Sequence, residues 1–501
     1  MINKEPDCCE PLGELKPGPD KTIFYQLPWT SDDNQPKKVK SDQSNPLLRP
    51  SSDYVQMPFD QKSQWNRIVD LLNSTLNGNG IKSFEQLGEL LKSINPSLEK
   101  CSLNILNQVI DQMNFNEKTQ FYDVTLPFIL SSTLKLTDLI VKPIPLLKQK
   151  VNHSLFFNQQ QLVSILANCF LGTFTKPTNS KLNHFTFQEL FSGSSSVKRK
   201  AEKLKCILNY FHRVAINPPR GTVTFRRQYL APERTPNWSR SAKCLKKLVV
   251  SPNGTIEHDG RGMLQVDFAH KLIGGKTLTY GMVQEEVRFV INPELIVSML
   301  FTEKMLDNEA VVIIGTEQFN NYSGYSDTFK FAGDFNDSTP VDSWGRRYTR
   351  IMAMDALYFA VDKVQTQYSK KFIDRELVKS FTGFMETEEI QESNRCAVAT
   401  GNWGCGVYRG DPQVKCLIQW IAASMALRDV VYFTFGDRRL ANMKDTISQL
   451  EAKKLTTGQL YNYLIEYGQY IESLPPFNKQ TRTGPTTISV FEFIGKKIQN
   501  N

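Results

Sequence analysis

The second half of the chain alternates short apolar runs with helix-period segments, and few architectures satisfy that alternation. From about Pro218 onward, "GTVTFRRQYL", "GMLQVDFA", "AVVIIGTE", "RCAVATGN" and "DVVYFTFGD" each read as a strand. "KKLVVSPNGTIEHDG" reads as a strand, a Pro-Asn-Gly turn and a second strand or edge. "NPELIVSMLFTEKML" and "DPQVKCLIQWIAASMAL" carry helical periodicity between them, and "TTGQLYNYLIEYGQYIESL" adds a helix near the C-terminus. Strands this apolar are covered on both faces. The pattern predicts an α/β domain with a largely parallel or mixed central sheet.

The first half has a different texture. Residues 1–52 are rich in Pro, Asp, Lys and Ser and are expected to be extended or disordered. From Trp65 to Phe211 the pattern is helical. "WNRIVDLLNSTL" places Ile68, Leu71, Leu72 and Leu76 on one face. Ser83 is the expected N-cap of "SFEQLGELLKSI", with Gln86 completing a capping box. Asn158 caps the segment carrying Leu162, Ile165, Leu166, Cys169 and Phe170. The two prolines of "KPIPLLKQKV" predict a helix start. "GSSSVKRKAEKLK" is a polar break followed by a basic helix. The expected organisation is a flexible segment 1–52, a helical accessory domain 53–215, an α/β domain 216–475 and a loose tail 476–501.

Composition removes several function classes. No 18-residue apolar run occurs, and the N-terminus lacks the apolar core of a secretory signal. Five histidines and no HExxH or CxxC motif argue against a zinc centre. Nine scattered cysteines read as reduced, intracellular usage. "PKKVK" at 36–40 reads either as a nuclear-localisation segment or as a solvated basic turn. The net charge of +9 suits a polyanionic partner without demanding one.

Four apolar runs end in glycines, aromatics and polar residues, where open α/β sheets bind ligands. Glycines in "IGG" and "GNWGCG" would let backbone N–H groups approach phosphate. Tyr322, Tyr325, Trp403, Phe433 and Phe435 offer flat surfaces for a base or sugar. Taken singly, each glycine also reads as a turn and each aromatic as core. The adjacent Glu285 and Glu286 read either as acids complementing a helix dipole or as a partly buried pair. In the second case one carboxyl is driven to hold a proton, as protonation of a glycosidic leaving group requires. Cys405 as a nucleophile finds no His–Asp partner set in the sequence.

"LQVDFA", "GG", "GMVQEEVRFVINPELI", "GTEQ", "NYSGY", "ATGNWGCG" and "DVVYFTFGD", in that order, resemble the signature blocks of the poly(ADP-ribose) glycohydrolase family. "PIPLLKQK" and "NHS" resemble that family's accessory region, so the likeness spans roughly residues 130–440. The resemblance implies a helical accessory domain followed by a macrodomain, a three-layer α/β/α fold with a mixed sheet that binds ADP-ribose. It implies hydrolysis of the ribose–ribose O-glycosidic bonds of poly(ADP-ribose), with no metal or organic cofactor. Glu286 matches the acid that protonates the leaving oxygen, Glu285 the glutamate that holds the neighbouring ribose hydroxyl, and Asp267 the aspartate of the site. Gln284, Gly274 and Gly275 fall against the ligand, Ile256 and Glu257 at the adenine, and Tyr322 and Tyr325 over the site. Asn402, Trp403, Gly404, Cys405, Gly406 and Val407 match the diphosphate loop, and Phe433 and Phe435 line the adenosine side. The implied partners are poly(ADP-ribose) and ADP-ribosylated proteins. The protein is expected to be a monomer in the nucleus or cytoplasm, off the membrane and without direct reading of DNA.

Two positions depart from the family pattern. His270 stands where the family has a ribose-binding asparagine, and Lys276 stands where it has a third glycine. A neutral imidazole offers one donor and one acceptor in place of an amide. A lysine at a φ > 0 position would be strained by roughly 1–2 kcal/mol, and its stem could block the ribose pocket or its ammonium could pair with phosphate. "KTLTYG" is also bulkier than the family's loop of small residues. The retained Gln284, Glu285 and Glu286 favour an enzyme, whereas His270 and Lys276 favour a non-catalytic ADP-ribose-binding module.

Overall fold

The computed structural model describes residues 11–13, 15–25, 52–386, 390–475 and 488–499. Cys8, Cys9 and the "PKKVK" segment lie outside the described residues.

A nine-stranded mixed sheet runs through the centre. Its strands are β1 (Lys21–Ile23), β2 (His153–Asn158), β3 (Thr222–Tyr229), β4 (Leu248–Ser251), β5 (Leu264–Ala269), β6 (Glu309–Ile314), β9 (Arg350–Asp355), β10 (Val398–Gly401) and β11 (Val430–Phe433). β7 (Asn320–Ser323) and β8 (Lys330–Asp334) form a separate hairpin. The sheet order is β1-β2-β3-β6-β9-β5-β10-β11-β4. β9, β5, β10, β11 and β4 are mutually parallel, whereas β6 is antiparallel to both β9 and β3.

Strand alternation divides the interior into two layers. Leu264 and Val266 of β5, with Val312 and Met354, face helices Lys370–Phe384, Pro412–Met425 and Thr457–Glu472. Ala269, Ile313 and Ala353 face the opposite layer, which is continuous with the helical first half. In that layer, helix Gln159–Leu171 is capped by Asn158, whose side chain accepts from Gln161 N–H, and Gln161 returns the bond. Ser83 likewise caps helix Phe84–Ile94, but Gln86 reaches back to the N–H of Lys82 rather than that of Ser83.

The structure corrects several expectations. The central sheet takes β1 and β2 from before residue 216, so the division at 215 cuts across it. The "KPIPLLKQKV" prolines start no helix. The N–H of Val55 donates to Ile144 O and that of Leu147 to Phe301 O, so the backbone pairs as extended chain. After β4 comes a short helix, Ile256–Asp259, capped by Thr255, where a second strand was expected. Within the expected loose tail, Val490–Gln499 is a helix burying Val490, Phe491, Ile494 and Ile498. The run ending β6 also emerges at the opposite sheet edge from the ends of β5, β10 and β11, because β6 is antiparallel.

Candidate active site

β5 carries Gln265 and Asp267 on a face otherwise apolar and fully covered. Both oxygens of Asp267 lack a hydrogen-bond partner among the described residues. Beyond β5 the chain turns through Gly274 and Gly275, both at positive φ, and returns as helix Gln284–Ile291. Gln284 pins the helix start to β5: Phe268 N–H donates to its Oε1 at 2.8 Å, and its Nε2 donates to Val266 O at 3.1 Å. Its amide is therefore engaged with the strand.

The turn and the helix start hold the two glutamates. Glu285 accepts from the N–H of His270 (2.8 Å) and Gly274 (2.6 Å). Glu286 accepts from the N–H of Lys276 (2.9 Å) and Val283 (2.8 Å). Both are buried, at 2% and 5% exposure. A Cβ on Gly275 would lie 2.5 Å from Glu285 Oε2 and 2.7 Å from Glu286 Oε1, so only glycine fits against the pair.

Burial dominates the electrostatics. It pushes Asp267 up to about 8, with Glu286 adding and Arg288 opposing. Burial also drives Glu285 well above the carboxylate range, with Asp267 and Glu286 adding. Asp267 thus favours its protonated form at neutral pH, and Glu285 is shifted in the same direction. Arg288, one turn into the helix, is itself buried, and its Nε lacks a partner among the described residues. Tyr408 is half-buried with its hydroxyl raised first by burial and then by Glu285, Asp355 and Glu286. The sequence reading missed it.

Although β6 ends at the far edge, its following segment walks back along helix Gln284–Ile291. Phe319 N–H donates to Ile291 O and Asn320 Nδ2 donates to Val290 O, which brings the β7–β8 hairpin to the helix start. Tyr325 meets the backbone of Gln284, and its hydroxyl is raised by burial. The Tyr322 hydroxyl donates to Glu257. Ile256 packs with Phe433 in one apolar cluster, and Phe433 and Phe435 are tilted rings 6.4 Å apart.

The glycine loop after β10 departs from expectation at two side chains. Trp403 is fully buried. Its indole N–H donates to Met354 O, and the Lys415 ammonium lies 3.9 Å from a ring centroid. It supports the loop from beneath and offers no surface for a base. Cys405 is buried, and burial pushes its thiol up to about 12, far from thiolate chemistry at neutral pH. Asn402 is pinned by Tyr432, whose hydroxyl donates to Oδ1 at 3.0 Å, and its Nδ2 donates to Thr434 O. Gly404 has positive φ, and Val407 is exposed. A Cβ on Gly406 would meet nothing within 4 Å, so this end of the loop opens outward.

The two divergent positions leave the carboxyl cluster intact. Lys276 is not among the described residues at positive φ, so the anticipated strain is not there. Its side chain is exposed, with Nζ 6.0 Å from the Tyr280 ring centroid. The bulk of "KTLTYG" goes inward, where Leu278 joins the helical core. His270 is partly buried, and its Nδ1 accepts from Leu272 N–H at 3.1 Å. Burial lowers its pKa, which favours the neutral ring.

Residues 235–442 match the family model described as poly(ADP-ribose) glycohydrolase, macro domain fold, and residues 113–227 match the helical domain of the same enzyme. The chain is 31% identical over 479 residues to "Poly(ADP-ribose) glycohydrolase 1" of Arabidopsis thaliana, covering 78% of this chain and 85% of that protein. The chain belongs to the poly(ADP-ribose) glycohydrolase family. "Probable poly(ADP-ribose) glycohydrolase 2" of the same plant is 34% identical over 359 residues, covering 62% of this chain and 68% of its own length. "Poly(ADP-ribose) glycohydrolase 2" of Caenorhabditis elegans is 33% identical over 311 residues, covering 60% and 61%. The macro domain fold preceded by a helical domain is that of the family. No described helix is long and apolar enough to cross a membrane.

Proposed function

We propose that this protein hydrolyses the ribose–ribose O-glycosidic bonds of poly(ADP-ribose) and releases ADP-ribose. Glu286 gives its proton to the leaving ribose oxygen as the C–O bond breaks. The resulting carboxylate then takes a proton from the water that attacks the anomeric carbon, which restores the acid. Glu285 holds the adjacent ribose hydroxyl, and Asp267 helps to raise the Glu285 carboxyl. Ile256, Glu257, Tyr322 and Phe435 receive the adenosine, and the loop Asn402–Val407 receives the diphosphate.

The observation that carries this reading is the fixing of Glu286 by two backbone N–H groups beside two other buried carboxyls. A site that only bound ADP-ribose would gain nothing from three buried acids set side by side. The test is incubation of the purified chain with poly(ADP-ribose) and measurement of free ADP-ribose. Release supports the hydrolase, whereas retention of intact polymer by a protein that binds it supports the binding module. The substrate is polymer carried on modified proteins in the nucleus or cytoplasm, and the chain acts as a monomer.

A further inference from the structure

Helix Val197–Ile216 belongs to the helical half, yet its side chains reach both loops of the site. Arg199 donates from Nε to Asp327 (2.7 Å) and from Nη2 to Ser326 Oγ (3.2 Å), immediately after Tyr325. Glu202 accepts from Phe331 N–H of the same hairpin at 2.8 Å. Lys203, next after Glu202 on the helix, is fully buried. Its Nζ lies 3.0, 2.9 and 3.2 Å from the carbonyl oxygens of Lys276, Thr277 and Thr279.

Burying an ammonium is costly unless each donor is satisfied, and three carbonyls occupy all three donors. Those carbonyls belong to the irregular loop between the glycine pair and helix Gln284–Ile291. The same loop supplies the Lys276 N–H to Glu286, while the Gly274 N–H just before it holds Glu285. One lysine therefore gathers the outward carbonyls of a turn whose inward N–H groups orient the reacting acids.

We propose that Lys203 is a positioning residue for glycoside hydrolysis, fixing the 274–280 loop and, through it, the carboxyl of Glu286. This rests on the hydrolase reading for the reaction it serves, while the clamp itself is a property of the free protein. Burial pushes the Lys203 amine down to about 7, with Glu286 opposing and Arg199 and Lys200 adding. A neutral amine keeps two N–H donors, so it still holds two of the three carbonyls.

The test compares the full chain with Lys203→Met, which keeps length without donors, and Lys203→Arg, which keeps donors. Steady-state hydrolysis of poly(ADP-ribose) is measured beside amide exchange of residues 274–281. Lys203→Met is expected to lower kcat about ten-fold or more with little change in KM, because a loosened acid loses alignment without losing binding surface. Loop amides should exchange faster while those of Gln159–Leu171 stay protected, and Lys203→Arg should recover much of both. A Lys203→Met protein with wild-type kcat and unchanged loop exchange overturns the proposal. If Lys203→Met does not fold, Lys203→Gln takes its place. If the wild type does not hydrolyse polymer, the hydrolase reading fails on its own, and loop exchange alone decides the clamp: faster exchange supports it and unchanged exchange overturns it.

Discussion

The backbone N–H of Lys276 donates to Glu286 Oε1 at 2.9 Å, while the Lys276 side chain points to solvent. Lys276 thus meets Glu286 through an atom every non-proline residue has. Lys276→Gly should leave turnover within about two-fold, as for a surface change away from any network. Combined with His270→Asn, it should give nearly the product of the two single effects, because the exposed Lys276 ammonium acts on His270 only through a weak charge effect, the smallest of those on the imidazole. Turnover assays on the four proteins check this, and a strongly synergistic double change would place both side chains on one ligand.

Gly275 is held between the two acids at φ +48, where an added Cβ would meet both carboxylates. Gly275→Ala should fold but lose turnover by about two orders of magnitude, through displacement of Glu285 and Glu286. Circular dichroism and initial rates separate this from a general loss of structure.

Asp267 has a folded-state pKa of about 8, far above its unfolded value. Such a group binds more protons folded than unfolded between about pH 4 and pH 8, so its contribution to stability falls as pH rises through that window. Burial raises Glu285 in the same direction. Wild-type melting temperature should therefore drop from pH 5 to pH 8. Asp267→Asn should flatten part of that slope, by up to about 1.4 kcal/mol per pH unit. Thermal melts of both proteins at matched ionic strength measure it.

A polyanionic ligand read through its phosphates should bind less tightly as salt rises. Titration of poly(ADP-ribose) from low to high salt should show a steep fall in affinity. A flat response would point to a small neutral ligand.

Much of this was legible in the sequence, for identifiable reasons. β5, β6, β10 and β11 are short apolar runs, and their length and flanking turn residues mark them as strands. Asp267 was visible as an acid inside such a run. Strand direction is not legible in such a run, so nothing local marks the end of β6 as lying at the opposite sheet edge. The return of Tyr322 and Tyr325 depends on contacts along helix Gln284–Ile291 that no local pattern encodes. β2 was hidden because "HSLFFN" runs directly into a helix cap. Trp403 looked like a ligand surface because glycines flank it, although it fills the core under the loop. Lys203 did leave a signal. It shares a helical stripe with Lys200, Ile207, Tyr210 and Val214, all buried, and a charge on such a stripe calls for a partner.

The most direct test of the account is turnover of Glu286→Gln. The amide keeps the shape of the acid but cannot serve as proton donor, so hydrolysis of poly(ADP-ribose) should fall by about two to four orders of magnitude. ADP-ribose affinity, measured by isothermal titration, should change little. A variant that keeps more than about a tenth of the wild-type rate, which is less than the loss of a general acid produces, would contradict the assignment of Glu286 as the acid.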